Sequence, residues 1–123
     1  ELHFCVISHL FYLWIEINQS SSAMDKIEAI KKVKQYKLLL KKYFDFDTVY
    51  LFGLYARDNY REDSDIDVAV IVSSISGDFF SVNPLLWKLR RQVDDRIEPV
   101  LIDRNNDRSG FLEEIKRNGI EIK

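Results

Sequence analysis

The sequence predicts an α/β protein of the α+β kind, a mixed β-sheet of three to four strands covered by helices. Three observations predict it. Short segments rich in β-formers alternate with segments of helical period along residues 25–123. "IDVAVIV" (66–72) is apolar on both faces beyond Asp67, which marks a central strand. The stretch between it and the preceding strand, "TVYLFG" (48–53), holds only a helical turn or so. That is short for a parallel crossover, so these two strands are expected to run antiparallel in a mixed sheet.

The elements follow in order. A first helix is expected over about 25–43, capped by Asp25, with Ile27, Ile30, Val33, Leu40 and Tyr43 or Phe44 inward. Lysines 31, 32, 34, 37, 41 and 42 fill its other faces as a solvated surface. After the first strand, "LYARDN" is expected to begin a short helix directly behind Gly53. "SSISGD" is a loop after the second strand. The second helix spans about 79–94, with Leu85, Leu86, Leu89 and Val93 inward and Pro84 in its first or second turn. The third strand is "RIEPVLID" (96–103), where Pro99 removes a backbone donor and therefore marks an edge or a bulge. "FLEEIKRN" is a last helix stopped by Gly119, and "IEIK" adds a short final strand.

Composition bounds the function classes. The 123 residues suffice for one domain with one modest core. The net charge of −2 gives no strong nucleic-acid signal. The single cysteine, Cys5, cannot form an internal disulfide and fits a cytoplasmic protein. Residues 1–23 are set apart: an almost wholly apolar run is followed by the polar "NQSSSA", and the first methionine is Met24. The run is too short and interrupted for a membrane span, which needs ~20 residues. Residues 1–23 are therefore expected to be an N-terminal extension and 24–123 the domain, with a partner-binding or membrane-surface helix as the alternative for the extension. His3, Cys5 and His9 lie in that extension without a ligand spacing and are not read as a metal site. Homo-oligomerisation stays open.

The chemistry is concentrated in "LFGLYARDNYREDSDIDVAVIV" (51–72). Alternation along a strand puts Asp65 and Asp67 on one face. Two carboxylates so close repel each other unless a cation sits between them, and hard oxygen donors suit Mg²⁺. A third acid from a neighbouring strand would complete a site for two metal ions, able to clamp an in-line phosphoryl displacement. Glu98 is the first candidate; Asp103 has the other strand parity unless Pro99 is a bulge, and ranks second. Gly53, between a strand and an expected helix start, lets backbone N–H groups approach phosphate. Arg57 is read either as a phosphate contact or as a partner of Asp58 or Glu62. Ser64 is read first as a turn residue and second as a nucleotide contact.

These residues resemble the nucleotidyltransferase superfamily that includes DNA polymerase beta, and most closely its minimal nucleotidyltransferase (MNT) members. The family signature is Gly-Ser, ten residues, then Asp-x-Asp; here Gly53-Leu54 is followed by residues 55–64 and then Asp65-Ile66-Asp67. "YAR" (55–57) and "SDIDVAV" (64–70) agree as well, and Glu98 in "RIEPVLI" falls at the family's third carboxylate. The resemblance implies the nucleotidyltransferase fold, ATP or another NTP as substrate, two Mg²⁺ ions, and Asp65, Asp67 and Glu98 as metal-holding catalytic residues. It implies Gly53, Leu54, Arg57 and Ser64 beside the nucleotide. It also implies a HEPN-domain partner in a toxin–antitoxin pair, with AMP moved to a hydroxyl of a protein or small molecule. Leu54 departs from the pattern, because it lacks the serine hydroxyl offered to phosphate. A weakened enzyme and a catalytically degenerate partner-binding module are therefore both expected readings.

Overall fold

The computed structural model describes residues 25–61, 63–73, 79–107 and 109–123. The N-terminal extension, the partner role of Glu62 and most of the "SSISGD" loop lie outside the described residues.

Helix α1 spans Lys26–Leu40. Asp25 caps it, its carboxylate accepting from the Glu28 N–H at 2.8 Å. The buried stripe is Ala29, Val33, Tyr36 and Leu40. Ile27, expected inward, is 67% exposed. It sits two residues from Ala29, about 200° around the helix, so the two cannot face one core. Of Tyr43 and Phe44, Tyr43 is exposed, because the helix has ended at Leu40, while Phe44 packs against the core as expected. Tyr36 replaces Ile27 and Tyr43 in the core. It satisfies its hydroxyl by donating to the Leu86 carbonyl at 2.6 Å. Two lysines of the polar face have structural partners. Lys32 pairs with Asp94 at 2.6 Å, and Lys37 donates to the Ile122 carbonyl at 2.6 Å.

Strands β1 (Thr48–Phe52) and β2 (Ile66–Val72) pair antiparallel, Val49 opposite Val70 and Phe52 opposite Asp67. Helix α2 (Phe79–Leu89) continues into a 3₁₀ turn, Arg90–Gln92, and carries Pro84 in its second turn. It crosses over to β3 (Ile97–Asp103), which runs parallel to β2. Helix α3 (Phe111–Asn118) ends at Gly119 and leads into β4 (Ile120–Ile122), antiparallel to β1. The sheet order is β3-β2-β1-β4, so β2 is central and mixed pairing holds as the short β1–β2 connection requires.

Pro99 sits on the edge strand β3 and makes no bulge. Its register with β2 is continuous from Ile66–Ile97 to Val72–Asp103. Asp103 therefore keeps the strand parity opposite to Glu98 and lies at the far end. Its carboxylate accepts from the Asn105 N–H at 2.9 Å, starting a 3₁₀ turn, and it takes no part in the carboxylate site. The segment after Gly53 is not a regular helix. It is a run of turns with Arg57 N–H donating to the Gly53 carbonyl at 3.1 Å and Asn59 N–H to the Leu54 carbonyl at 3.0 Å. Asp58 takes a positive φ of 63° there, and such a residue breaks a helix.

Two apolar layers cover the sheet. Val49, Leu51, Ile66, Val68, Val70 and Ile97 pack against α1 and α2 on one face. Ala69, Ile71 and Ile102 pack against Leu112 and Ile115 of α3 on the other. The α3 face is the thinner, and its end beside β1 stays open to solvent. Among the described residues no helix is long and apolar enough to cross a membrane.

Candidate active site

The site forms on the α3 face, where the strand ends leave the sheet uncovered. Asp67 belongs to that face, two residues before Ala69. Glu98 stands opposite it on parallel β3, and Phe52 opposite it on antiparallel β1. Asp65 precedes β2 by one residue with the parity of Asp67. The Ile66 N–H donates to the Arg96 carbonyl at 2.8 Å, which carries the β2–β3 pairing up to the position of Asp65.

The three carboxylates act on one another. Asp67 is half-buried, and its pKa is pushed up to about 6, first by burial and then by the negative charges of Glu98 and Asp65. Glu98 is likewise pushed up, by burial, by the charge of Asp65 and by a side-chain hydrogen bond with it; the Arg90 guanidinium opposes this. Arg90 is held for that task by backbone carbonyls. It donates to Ile97 O at 3.1 Å and to Asp95 O, and its guanidinium lies 4.7 Å from the Trp87 ring centre. Its place beside Glu98 depends on the α2–β3 crossover, so no local sequence pattern announces it.

Gly53 is tied to this cluster sterically. Its φ is +74°, and a Cβ added there would lie 2.1 Å from the Asp67 carboxylate oxygen Oδ2. The sequence suggested room for a ligand; the room is taken first by Asp67. The turn that follows is anchored by Tyr55, fully buried and stacked on Tyr60 with ring centres 4.6 Å apart. Leu54 is 45% exposed at the outside of the same turn.

Among the described residues Arg57 does not pair with Asp58. It reaches across to Glu114 of α3 at 3.4 Å, with both side chains half exposed, while Asp58 pairs with Lys26 at 3.0 Å. Ser64 is buried, and its hydroxyl accepts from the Arg61 N–H at 2.6 Å, closing the turn before β2. That is its structural role. Beyond Gly53 a cleft of about 190 Å³ opens between the end of β1 and α3. The sequence reading did not foresee it, although Phe111, Glu114, Ile115 and Asn118 repeat at i, i+3, i+4 and i+7, a stripe of one helix face.

Among the described residues no three acid, histidine or cysteine side chains are gathered into a ready-made ion cage. The donor set nevertheless fits Mg²⁺, which needs only one or two protein carboxylates and completes its shell with water and phosphate. Burial first, and then the charge of Glu98 and Asp65 on Asp67 and of Asp65 on Glu98, pushes both carboxyls up, and a cation relieves that repulsion.

The family model described as "Polymerase beta, Nucleotidyltransferase" matches residues 31–123. The chain belongs to that family. As a nucleotidyltransferase it is an enzyme, and its mixed four-stranded sheet matches solved relatives. A protein of Methanocaldococcus jannaschii with the name "putative protein adenylyltransferase" is 29% identical over 102 residues, 80% of this chain and 100% of the relative. A crystal structure of a "putative nucleotidyltransferase" from Sulfolobus solfataricus superposes with a TM-score of 0.55 at 22% identity, over 78% of this chain and 80% of that one. A toxin–antitoxin crystal structure with AMP-PNP superposes with a TM-score of 0.56 at 25% identity, over 75% of this nucleotidyltransferase and 72% of that chain.

Proposed function

We propose that this nucleotidyltransferase moves AMP from ATP to a hydroxyl of a protein or small molecule, with Mg²⁺ bound, as the antitoxin of a HEPN/MNT pair in the cytoplasm. The observation that carries it is the meeting of Asp65, Asp67 and Glu98 on one sheet face beside the Gly53 turn. The relative named as a protein adenylyltransferase supports the donor and the acceptor class, and the toxin–antitoxin complex with AMP-PNP supports the partner and the adenine nucleotide.

Asp65 and Asp67, with Glu98, would hold the metal, which supplies charge neutralisation for the phosphates when bound. Glu98 accepts the proton of the acceptor hydroxyl, a task suited to a carboxylate whose pKa stands above its ordinary value. The acceptor oxygen forms a bond to the α-phosphorus, the bond from that phosphorus to the bridging oxygen breaks, and pyrophosphate leaves. The backbone N–H groups behind Gly53 and the Arg57 guanidinium face the leaving phosphates. Arg57 can leave Glu114 for phosphate cheaply, because an exposed ion pair is worth ~0–1 kcal/mol.

Leu54 supports a second reading. An exposed leucine stands where the family places a hydroxyl, which suits a degenerate module that binds and neutralises its partner. One experiment separates the two. The protein is incubated with its co-encoded neighbour, Mg²⁺ and ATP labelled at the α-phosphate. Label on the neighbour, lost with EDTA and with Asp67→Asn, supports transfer. Tight complex formation without label supports the module.

A further inference from the structure

We propose that the outward face of α1 docks a helix of a partner protein, one whose acidic side chains lie opposite the lysines of α1 and whose apolar side chains meet Ile27 and Leu38. The choice of a partner protein rests on the toxin–antitoxin reading above; the inference adds the surface and its chemistry. Ile27, Lys31, Lys34, Leu38 and Lys41 follow one another at spacings of four, three, four and three residues. At about 100° per residue they lie within about 60° of one line along the helix, opposite the buried stripe of Ala29, Val33, Tyr36 and Leu40. All five are exposed, Ile27 at 67% and Leu38 at 64%. Lys31, Lys34 and Lys41 form no ion pair with another described residue, whereas Lys26, Lys32 and Lys37 on the flanks are engaged by the domain itself.

Spacing and charge decide the occupant. Alternating steps of four and three residues form the seam along which two helices pack, with apolar side chains as knobs and charged ones setting the register. From Ile27 to Lys41 this seam is ~21 Å long, at ~1.5 Å per residue. It holds three cations and no carboxylate, in a chain whose net charge is −2. A partner helix therefore matches it when its own seam is acidic between apolar ends. Other occupants fit less well. A second copy offering the same face would set lysine against lysine across a two-fold axis. A nucleic acid would leave Ile27 and Leu38 unused, since the face has no aromatic ring for a base to stack on and no arginine. A membrane surface takes up the apolar face of a helix, and that of α1 is already packed in the core.

The test measures binding of the full chain to its co-encoded neighbour and, separately, to a synthetic helix of about 20 residues, long enough to fold. One face of that peptide repeats leucine, glutamate, glutamate, leucine, glutamate at the spacing of the α1 seam. Leu38→Gln is expected to weaken both complexes by about five- to twentyfold. The pair Lys31→Glu and Lys34→Glu is expected to weaken them by about tenfold or more, and binding to the unmodified chain to fall with added salt. These side chains are exposed, so the variants should melt with the parent and hold Mg·ATP within about twofold. A peptide with lysine in place of its glutamates should bind the charge-reversed variant better than the parent, which a merely structural effect would not produce. A neighbour bound equally by parent and variants sinks the surface and leaves the toxin–antitoxin reading standing. A neighbour that fails to bind the parent, while the peptide binds and responds to the variants, sinks that reading and leaves the face as a dock for another acidic helix. The proposal is overturned if neither neighbour nor peptide responds to the variants. It is also overturned if a single-stranded RNA or phosphatidylserine vesicles bind through these residues and the peptide does not.

Discussion

Gly53 has no side chain because the Asp67 carboxylate occupies the place where one would be. A Cβ on Gly53 would come within 2.1 Å of Oδ2 and 3.0 Å of the carboxyl carbon. The glycine also holds φ at +74°, a conformation that costs other residues ~1–2 kcal/mol. Gly53→Ala therefore meets two penalties at once. The expected result is a loss of about 1–3 kcal/mol of stability in urea melts, together with displacement of Asp67. Nucleotide transfer should fall further than stability explains, when measured at a temperature where the variant stays folded.

The glycine, the Asp-x-Asp spacing and the strand parity of Glu98 were all legible in the sequence, because alternation and turn chemistry act over a few residues. The inward face of α1 was not. Ile27 and Ala29 both belong to plausible apolar stripes, and only the packing of Tyr36 against α2 decides which stripe is buried. The Arg57–Glu114 pair and the cleft were equally hidden, since they arise from α3 returning beside β1 across 57 residues of chain.

The pH dependence of the metal-free protein follows from Asp67. Its pKa is about 6 in the folded chain against an ordinary 3.8, so the folded state holds a proton that the unfolded state releases. The resulting stability is fully present below about pH 4 and is lost as pH rises through about 6. Asp67→Asn removes this dependence. At pH 7 without divalent ions the variant should melt higher than the parent chain. Addition of Mg²⁺ should raise the parent's Tm at pH 7 much more than at pH 5, where the proton competes with the cation. A variant that melts lower than the parent at pH 7, without metal, would contradict the account.

Asp94 works in the opposite direction. Lys32 and the Arg96 side chain and backbone N–H surround its carboxylate, which is held near a pKa of about 2 against its burial. Its contribution is present above about pH 4 and is lost as pH falls through about 2. It ties α1 to the entry of β3, so Asp94→Ala should cost about 1 kcal/mol at pH 7 by removing the charge-assisted hydrogen bonds of two partly exposed donors. The cost should vanish below pH 2, and ATP affinity should change little in the folded variant. Thermal melts across pH measure both.

The start of the domain is a further expectation. Helix α1 draws its cap from Asp25 itself, and the core cluster among the described residues runs from Ala29 to Ile122. A chain beginning at Met24 should melt cooperatively within a few degrees of the full chain. A truncated protein that fails to fold would show that the apolar extension packs on the domain.

Leu54 offers the sharpest division between the enzyme and the binding module. It is 45% exposed, so exchange for serine removes little buried apolar surface and should leave the melt almost unchanged. The gain would be local. A serine hydroxyl on the Gly53 turn can donate to a phosphate oxygen, and a hydrogen bond to a charged group is worth ~1.5–3 kcal/mol. Leu54→Ser should then raise adenylyl transfer from Mg·ATP by about ten- to a hundredfold. Asp67→Asn in the same background should abolish the gain if, as proposed, the carboxylates hold a cation on the phosphates. Calorimetry with Mg·ATP separates affinity from turnover. If Leu54→Ser alters neither, while the unmodified protein still binds its partner tightly, the phosphate cradle is no longer used and the domain serves as an interaction module on a nucleotidyltransferase frame.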